Sequence, residues 1–153
     1  MTTKNTRAET ILQLKRTFSA SREKVFKAWT DPEMLKEWFG PEEVQTVLAE
    51  VDLKIGGKYR FEMKLPDGKI VSHQGAFREI KFPERLVYSW ILEGQSCKGS
   101  EDEDCETLVS LDFKDLGGST ELTLTHEFLP SEKSRQGHEF GWTGSFDKLE
   151  KVI

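Results

Sequence analysis

The apolar residues at the end of the chain recur at helical spacing. Trp142, Phe146, Leu149 and Ile153 follow one another at i, i+4, i+7 and i+11, so they lie along a single face of a helix. Ser131 can cap the first turn, and the pattern predicts one long amphipathic helix from Ser131 to Ile153. A run of strand-like segments precedes it, so this helix is expected to lie over a sheet.

Three glycines, Gly137, Gly141 and Gly144, interrupt the first half of this helix. A glycine inside a helix costs about 1 kcal/mol relative to alanine, and glycine is usually kept where a neighbour approaches closely or where room is needed. A solitary helix of this kind over a curved sheet favours a grip around a cavity. The leading hypothesis is therefore a container for a small molecule.

The first part of the chain predicts one strand and two short helices. The strand covers Thr10–Phe18, where apolar and polar residues alternate. A helix follows at about Ser21–Thr30. Asp31 is a strong N-cap and Pro32 suits the first helical position, so a second helix is expected to run to about Trp38.

From Val44 onward the periodicity changes to two, which is typical of strands with one buried face. Short turns rich in glycine and proline separate the segments, so successive strands are expected to be antiparallel. The pattern predicts six strands, at about Val44–Leu53, Tyr59–Leu65, Ile70–Ile80, Leu86–Leu92, Glu106–Leu116 and Thr120–Phe128. The whole order of elements is that of an α+β domain with its helices on one face of the sheet.

Composition and charge narrow the classes of function. A length of 153 residues fits one domain, and a net charge of −5 without a basic cluster disfavours binding to nucleic acid or to anionic lipid. No stretch approaches the roughly 18 apolar residues of a membrane span. Residues 1–9 are polar and charged, which predicts a flexible N-terminal arm ahead of a single domain over 10–153, no secretory signal and a cytoplasmic location.

Two cysteines and an acidic run lie together in the second half of the chain. Cys97 and Cys105 fit no standard zinc pattern, and a reducing compartment would leave both as thiols. The run Glu101-Asp102-Glu103-Asp104, followed by Glu106, lacks the glycine-turned ligand ladder of a calcium loop. A solvated loop is the favoured interpretation, and the sequence predicts neither a metal nor a cofactor.

A set of short segments, spread over nearly the whole chain, carries a family resemblance. In chain order they are Arg16-Thr17-Phe18-Ser19-Ala20, Val25-Phe26-Lys27-Ala28-Trp29, Thr30-Asp31-Pro32-Glu33, Leu35-Lys36-Glu37-Trp38-Phe39-Gly40-Pro41, Gly56-Gly57-Lys58-Tyr59-Arg60-Phe61, Pro66-Asp67-Gly68, Pro83-Glu84-Arg85-Leu86-Val87-Tyr88-Ser89-Trp90, Thr123-Leu124-Thr125-His126 and Gly141-Trp142. Together they resemble the family of homologues of the activator of the heat shock protein 90 ATPase. That family lies within the START-like, birch-pollen-allergen-like (SRPBCC) helix-grip superfamily.

The resemblance implies a helix-grip fold, in which a curved antiparallel sheet wraps around the long C-terminal helix and two short helices follow the first strand. Inward-facing side chains would then line a cavity between sheet and helix, and apolar cavities with a few polar groups are the usual form of ligand sites. The alternative is that these rings fill an ordinary core. The candidates for lining the cavity are Tyr59, Phe61, Met63, Tyr88, Trp90, Leu111, Phe113, Leu124, His126, His138, Trp142 and Phe146.

His126 is the candidate best suited to chemistry, because it lies on the apolar face of the last strand with Leu122 and Phe128. A buried histidine there can orient a ligand or transfer a proton, or it can be a core histidine bonded to a neighbour. His138, one turn before Trp142, is expected at the mouth of the cavity. No nucleophile, paired-carboxylate or metal signature accompanies these histidines.

Trp38 and Phe39 place two large rings at the end of the second short helix. They are expected to seal the open edge of the sheet. The alternatives are a lid beside the cavity or a contact patch for a partner protein.

Three functions emerge as hypotheses. The first is a non-catalytic protein that binds a small hydrophobic or amphipathic ligand, as a monomer or a homodimer. The second, implied by the resemblance, is a regulator of the heat shock protein 90 ATPase, although the eukaryotic co-chaperone carries this fold behind a separate N-terminal domain and only about ten residues precede the first strand here. The third is a cyclase-, aromatase- or hydrolase-like enzyme that uses the same cavity.

Overall fold

The computed structural model describes residues 10–40, 43–92, 106–129 and 131–153. It contains seven strands and three helices within these residues, in the predicted order. Cys97, Cys105 and the acidic run 101–104 lie outside the described residues, as does the arm 1–9. The elements are β1 (Thr10–Phe18), α1 (Arg22–Ala28), α2 (Pro32–Trp38), β2 (Gln45–Val51), β3 (Lys58–Lys64), β4 (Ile70–Lys81), β5 (Arg85–Leu92), β6 (Glu106–Asp115), β7 (Thr120–Leu129) and α3 (Glu132–Val152).

All seven strands form one antiparallel sheet with the order β1-β7-β6-β5-β4-β3-β2. Strands β2 to β7 pair with their neighbours in sequence, and β1 pairs with β7. The first and last strands of the chain therefore lie side by side at one end of the sheet. Helix α3 packs on β1 and β7 and also contacts α2, so the helices lie on one face of the sheet.

Side-chain caps begin all three helices, and those at Asp31 and Ser131 were predicted from the sequence. The Ser21 hydroxyl accepts the Lys24 N–H at the start of α1, and the Asp31 carboxylate accepts the Glu33 N–H at the start of α2. Ser131 caps α3. Each cap satisfies a backbone donor that the first turn of a helix leaves unpaired.

The core lies between the sheet and the helices, and rings from both layers form most of its contacts. The Phe146 ring on α3 meets the Phe18 ring of β1 edge-on, with centroids 5.9 Å apart. The Trp29 ring at the end of α1 lies 4.6 Å from that of Trp38 on α2. One continuous cluster of buried side chains thus joins the sheet to all three helices.

Strands β2 and β7 each depart from simple alternation. In β2 the register shifts between Thr46 and Leu48, and Val47 turns outward with 42% of its surface exposed. In β7 the residue Phe128 has a positive φ of 67°, which turns the following Leu129 into the core instead of Phe128. The prediction that Phe128 continues the apolar face of His126 is therefore wrong.

Two glycines of α3, Gly137 and Gly141, have open space beside them. A Cβ atom added to Gly137 or Gly141 would meet no atom of a neighbouring element within 4 Å. Close approach of a neighbour therefore does not explain these two glycines. None of the described helices combines the length and apolar character that a membrane crossing requires.

Candidate functional site

The predicted cavity-lining residues all lie on the helix-covered face of the sheet or on the sheet-facing side of α3. Eleven of the twelve are buried, and His138 is half-buried. Strand β3 supplies Tyr59, Phe61 and Met63, strand β5 supplies Tyr88 and Trp90, and the rest come from β6, β7 and α3. Burial places these side chains in the interior, and whether they contact a ligand stays a prediction.

A small cavity opens between the two short helices and strands β2 to β5. Its volume is only about 10 Å³, which is room for about one water molecule. Three predicted residues line it, and none of its lining residues belongs to α3. The full lining is Trp29, Leu35, Phe39, Val51, Tyr59, Phe61, Phe77 and Tyr88.

The sequence did not identify the helical side of this cavity. Trp29, Leu35 and Phe39 come from the ends and the interior of the two short helices, where periodicity does not tell which part of the sheet a helix covers. Phe39 is buried and its ring lies 4.6 Å from that of Phe61. Trp38 is fully buried, and its indole N–H donates to the Ala28 carbonyl. Phe39 therefore lies beside the cavity, as one of the alternatives for this pair of rings expects, and the sealing of the sheet edge by Trp38 and Phe39 stays a prediction.

Trp29, which lines the cavity, carries an unpaired polar group. Its indole Nε1 is buried and has no hydrogen-bond partner within the described ranges. A buried donor without a partner costs about 1–3 kcal/mol, and native structures contain few of them. The aromatic wall of the cavity therefore includes a residue with a buried donor that the described protein groups leave unpaired.

The two tyrosines of the cavity wall stay neutral. The Tyr59 hydroxyl donates to the Ser89 carbonyl. Burial raises the pKa of Tyr59 well above its ordinary value, with a smaller contribution from Tyr88, and burial also raises the pKa of Tyr88. Neither phenol ionises near pH 7, so neither acts as a general base there.

The hydrogen bonds of His126 fix its tautomer. The Trp142 indole N–H donates to His126 Nδ1 over 3.2 Å, so Nδ1 is an acceptor and Nε2 carries the proton. Nε2–H then donates to the Thr107 hydroxyl over 2.7 Å, and that hydroxyl donates to the Trp90 carbonyl over 2.9 Å. The polar side-chain atoms of Trp142, His126 and Thr107 thus all have a partner.

This arrangement makes His126 a satisfied core histidine. Burial lowers the pKa of His126 well below its ordinary value, and the neighbouring His138 and His73 add smaller effects. Thr107 and His126 lie within hydrogen-bonding distance, yet the histidine donates to the hydroxyl and does not accept its proton. The pair is therefore not the nucleophile and base of a hydrolase.

All three histidines of the chain converge around one tryptophan, which the sequence did not predict. The His73 ring stacks on Trp90 with centroids 4.5 Å apart, and the rings of His126 and His138 lie 6.0 and 6.5 Å from it. His73, Trp90, His126, His138 and Trp142 are referred to below as the histidine–tryptophan cluster. The position of His73 on the interior face could have been inferred from the sequence, because it alternates with Gly75 and Phe77 along β4.

The histidine–tryptophan cluster is uncharged and holds no metal ligand set. Burial lowers the pKa of His73 to about 3 and also lowers that of His138, so both rings are neutral near pH 7. In the part of the chain that the structure describes, no three histidine, cysteine or carboxylate side chains are placed to hold a metal ion. The cluster is thus a source of neutral hydrogen-bonding groups.

This architecture matches a known protein family. The family model described as "Activator of Hsp90 ATPase homolog 1-like protein" matches residues 19–153. No curated protein matches the chain.

Solved structures from several bacteria share the fold. Protein CV1439 from Chromobacterium violaceum is 24% identical, with 94% of this chain and 96% of that chain covered and a TM-score of 0.83. The AHSA1 protein SPO3351 from Silicibacter pomeroyi is 25% identical, with 93% and 96% covered and a TM-score of 0.79. A protein from Staphylococcus epidermidis is 24% identical, with 96% and 91% covered and a TM-score of 0.77. The predicted helix-grip fold is confirmed.

Proposed function

We propose that this chain binds a small hydrophobic or amphipathic molecule between the sheet and the helices covering it. The chain belongs to the Activator of Hsp90 ATPase homolog 1-like family, as its sequence resemblance predicted. The family supports a ligand-binding or regulatory role in general. The observation that carries the narrower proposal is the ring-lined cavity at Trp29, whose buried N–H has no partner among the described residues.

The size of the cavity sets a condition on binding. An engineered cavity that binds benzene measures about 150 Å³, whereas the cavity of this protein measures only about 10 Å³. The second volume corresponds to about one water molecule. A ligand of several carbon atoms must therefore displace one or more of the lining rings, and binding is expected to change the environment of Phe39, Phe77 or Tyr88.

The experiment is an NMR titration with toluene, indole and 2-naphthol as probes. The indole N–H signal of Trp29 reports on the cavity directly, while the signal of Trp38 is a reference because its N–H already donates to Ala28. At least one probe is expected to shift the Trp29 signal in a saturable manner. Probes that leave Trp29 unaffected up to their solubility limits would remove the proposal.

A pair of variants on one strand tests the location. Val51 lines the cavity and Val47, on the same strand, is largely exposed. Val51→Phe should fill the cavity and weaken probe binding, and Val47→Phe should leave it unchanged. Equal effects of the two substitutions would place the bound probe elsewhere.

The alternatives are less well supported by the contacts. The described histidines and tyrosines are neutral, and Thr107 and His126 do not form an activated nucleophile, so no observation favours a cyclase, aromatase or hydrolase. The family name suggests a chaperone as a possible partner, and an ATPase assay with the cognate chaperone tests that hypothesis. The cytoplasmic location and the monomeric or homodimeric state stay predictions.

A further inference from the structure

Two touching rings of the histidine–tryptophan cluster carry buried nitrogens that lack hydrogen-bond partners among the described residues. They are Trp90 Nε1 and His73 Nδ1. The rings stack with centroids 4.5 Å apart and an angle of 25° between their planes. Both residues are more than nine-tenths buried, so the missing bonds are costly. The stack therefore has hydrogen-bonding capacity that the described protein groups do not use.

Two neighbouring members of the cluster, His126 and Trp142, have all their polar ring atoms bonded to protein groups. His126 and Trp142 bond to each other, and His126 also bonds to Thr107. His138 Nδ1–H donates to the Ser134 carbonyl over 2.9 Å, so Nε2 of this neutral ring is an acceptor. His138 is half-buried and adds an acceptor at the rim of the stack.

The Trp90 ring of the stack packs against two rings of the cavity wall. The Trp90 ring lies 5.9 Å from that of Phe39 and 6.5 Å from that of Tyr88, and both of these residues line the cavity. A ligand that displaces either ring can reach the edge of Trp90. One molecule can therefore place its apolar end in the ring-lined interior and its polar end against the unpaired nitrogens.

The chemistry of the two nitrogens limits what they can bind. An indole N–H only donates, and a ring nitrogen of a neutral imidazole either donates or accepts according to the tautomer. A group that satisfies both must accept from Trp90 and either donate to or accept from His73. A hydroxyl group meets both requirements with either tautomer of His73, whereas an ether or a ketone meets them only with the tautomer in which Nδ1 carries the proton.

Charge excludes the other strong acceptors. His73, His126 and His138 are neutral near pH 7 because burial lowers the pKa of each ring. The cluster therefore offers no imidazolium to a carboxylate or a phosphate, and an anion buried without a counter-charge is strongly disfavoured.

We propose that the His73–Trp90 stack selects an uncharged ligand with a hydroxyl group, such as a phenol or an alcohol, whose apolar part occupies the ring-lined interior. This proposal rests on the proposed function, because it assigns the polar end of the same ligand. It also assigns a role to Trp90 and His73 that their packing alone does not require.

The test compares three probes with one aromatic ring each. Phenol donates and accepts a hydrogen bond, anisole only accepts, and toluene does neither. The chain contains four tryptophans, so the indole N–H signals separate the two unpaired donors, Trp29 and Trp90, from the two bonded ones. Phenol is expected to shift the Trp90 signal downfield and to bind about tenfold more tightly than toluene, the effect of about one net hydrogen bond.

Substitution of the histidine gives a second measurement. His73→Phe keeps a ring against Trp90 and removes both ring nitrogens, so it should reduce the preference for phenol over toluene while toluene still binds. The control is Gln74→Leu, on the opposite face of the same strand, which should leave the preference unchanged. If His73→Phe does not fold, the comparison of phenol with anisole on the natural protein still decides the matter.

The outcomes separate the two proposals. A toluene-induced shift of Trp29 together with an unshifted Trp90 signal in phenol would overturn the hydroxyl selection and leave the proposed function in place. A chain in which no probe shifts Trp29 or Trp90 would overturn both. Equal affinities for phenol, anisole and toluene would also overturn the hydroxyl selection, whatever the position of the bound probe.

Discussion

At the scale of single residues, His126 illustrates how neighbours keep a buried histidine uncharged. Its imidazolium form would need two acceptors, yet Nδ1 faces the donor N–H of Trp142. Protonation at Nδ1 would bring two donor hydrogens together, in addition to the cost of burying a charge. Packing and hydrogen bonding thus both favour the neutral Nε2–H tautomer, which ¹⁵N NMR of the imidazole detects directly.

The hydroxyl of Thr107 is predicted to contribute to stability through this histidine. Thr107→Val keeps the shape and leaves the buried His126 Nε2–H without its acceptor, which should lower the free energy of unfolding by about 1–3 kcal/mol. The control is Thr125→Val on β7, where the hydroxyl accepts only a 3.3 Å bond from the exposed Gln13 side chain. Urea denaturation measures both. Equal stability losses in the two variants would contradict the assigned role.

Gly75 is predicted to be irreplaceable for a different reason. A Cβ atom at this position would overlap the Ser89 carbonyl oxygen and lie 2.8 Å from the Tyr59 hydroxyl. Gly75→Ala must therefore separate β4 from β5 and disturb the Tyr59–Ser89 hydrogen bond, with an expected loss of at least about 1–3 kcal/mol. Thermal unfolding tests this, and a variant with the natural melting temperature would show that the strands can relax at no cost.

Sequence periodicity identified one wall of the candidate site and missed the other. Tyr59, Phe61 and Tyr88 were found because alternation along a strand states which face each side chain occupies. Trp29 and Leu35 were not found, because the docking of the short helices on the sheet depends on tertiary packing. Phe39 was placed beside the cavity only as an alternative to a sealing role. The unpaired nitrogens of His73 and Trp90 could not be predicted at all, since a missing partner is a property of the three-dimensional surroundings.

At the scale of elements, α3 follows its predicted pattern, and its glycines have a clearer meaning. Trp142, Phe146 and Leu149 are buried as the stripe predicts, whereas Phe140 on another side is 75% exposed. The bulge in β2 and the positive φ of Phe128 in β7 were not predicted. Alternation assumes an unbroken pleat, and one extra or left-handed residue reverses the facing of the residues after it.

The open space beside Gly137 and Gly141 leads to a prediction for the helix. An added Cβ meets no neighbouring element at either position, so alanine gains helix propensity without a clash. Gly137→Ala and Gly141→Ala should each stabilise the protein by up to about 1 kcal/mol. Gly75→Ala is the matched control, because it makes the same substitution at a crowded site and should destabilise the protein. Chemical denaturation compares the three, and a loss of stability at Gly137 or Gly141 would mean that the helix needs their flexibility.

At the scale of the whole molecule, the topology joins the first strand of the chain to the last. The sequence predicted antiparallel strands, and β1 pairs with β7. Three of the strands so connected, β4, β5 and β7, carry the interior residues His73, Trp90 and His126, and α3 adds His138. The histidine–tryptophan cluster therefore exists only in the complete fold, which makes its protonation a probe of global unfolding.

The stability of the protein is accordingly predicted to fall as the pH falls below about 6.5, the ordinary pKa of histidine. The folded state holds the pKa of His73 at about 3 and lowers those of His126 and His138, whereas the unfolded chain takes up protons near pH 6.5. Protons therefore favour the unfolded state, by about 1.4 kcal/mol per pH unit for each histidine that stays neutral when folded. With two or three such groups, the loss between pH 6 and pH 5 should be about 2–4 kcal/mol.

Urea denaturation at pH 7.5, 6 and 5 measures this loss above the range where most carboxylates titrate, and His73→Phe should reduce the slope by one proton. A free energy of unfolding that is constant from pH 7.5 to 5 would show that the cluster opens to water and protonates without unfolding.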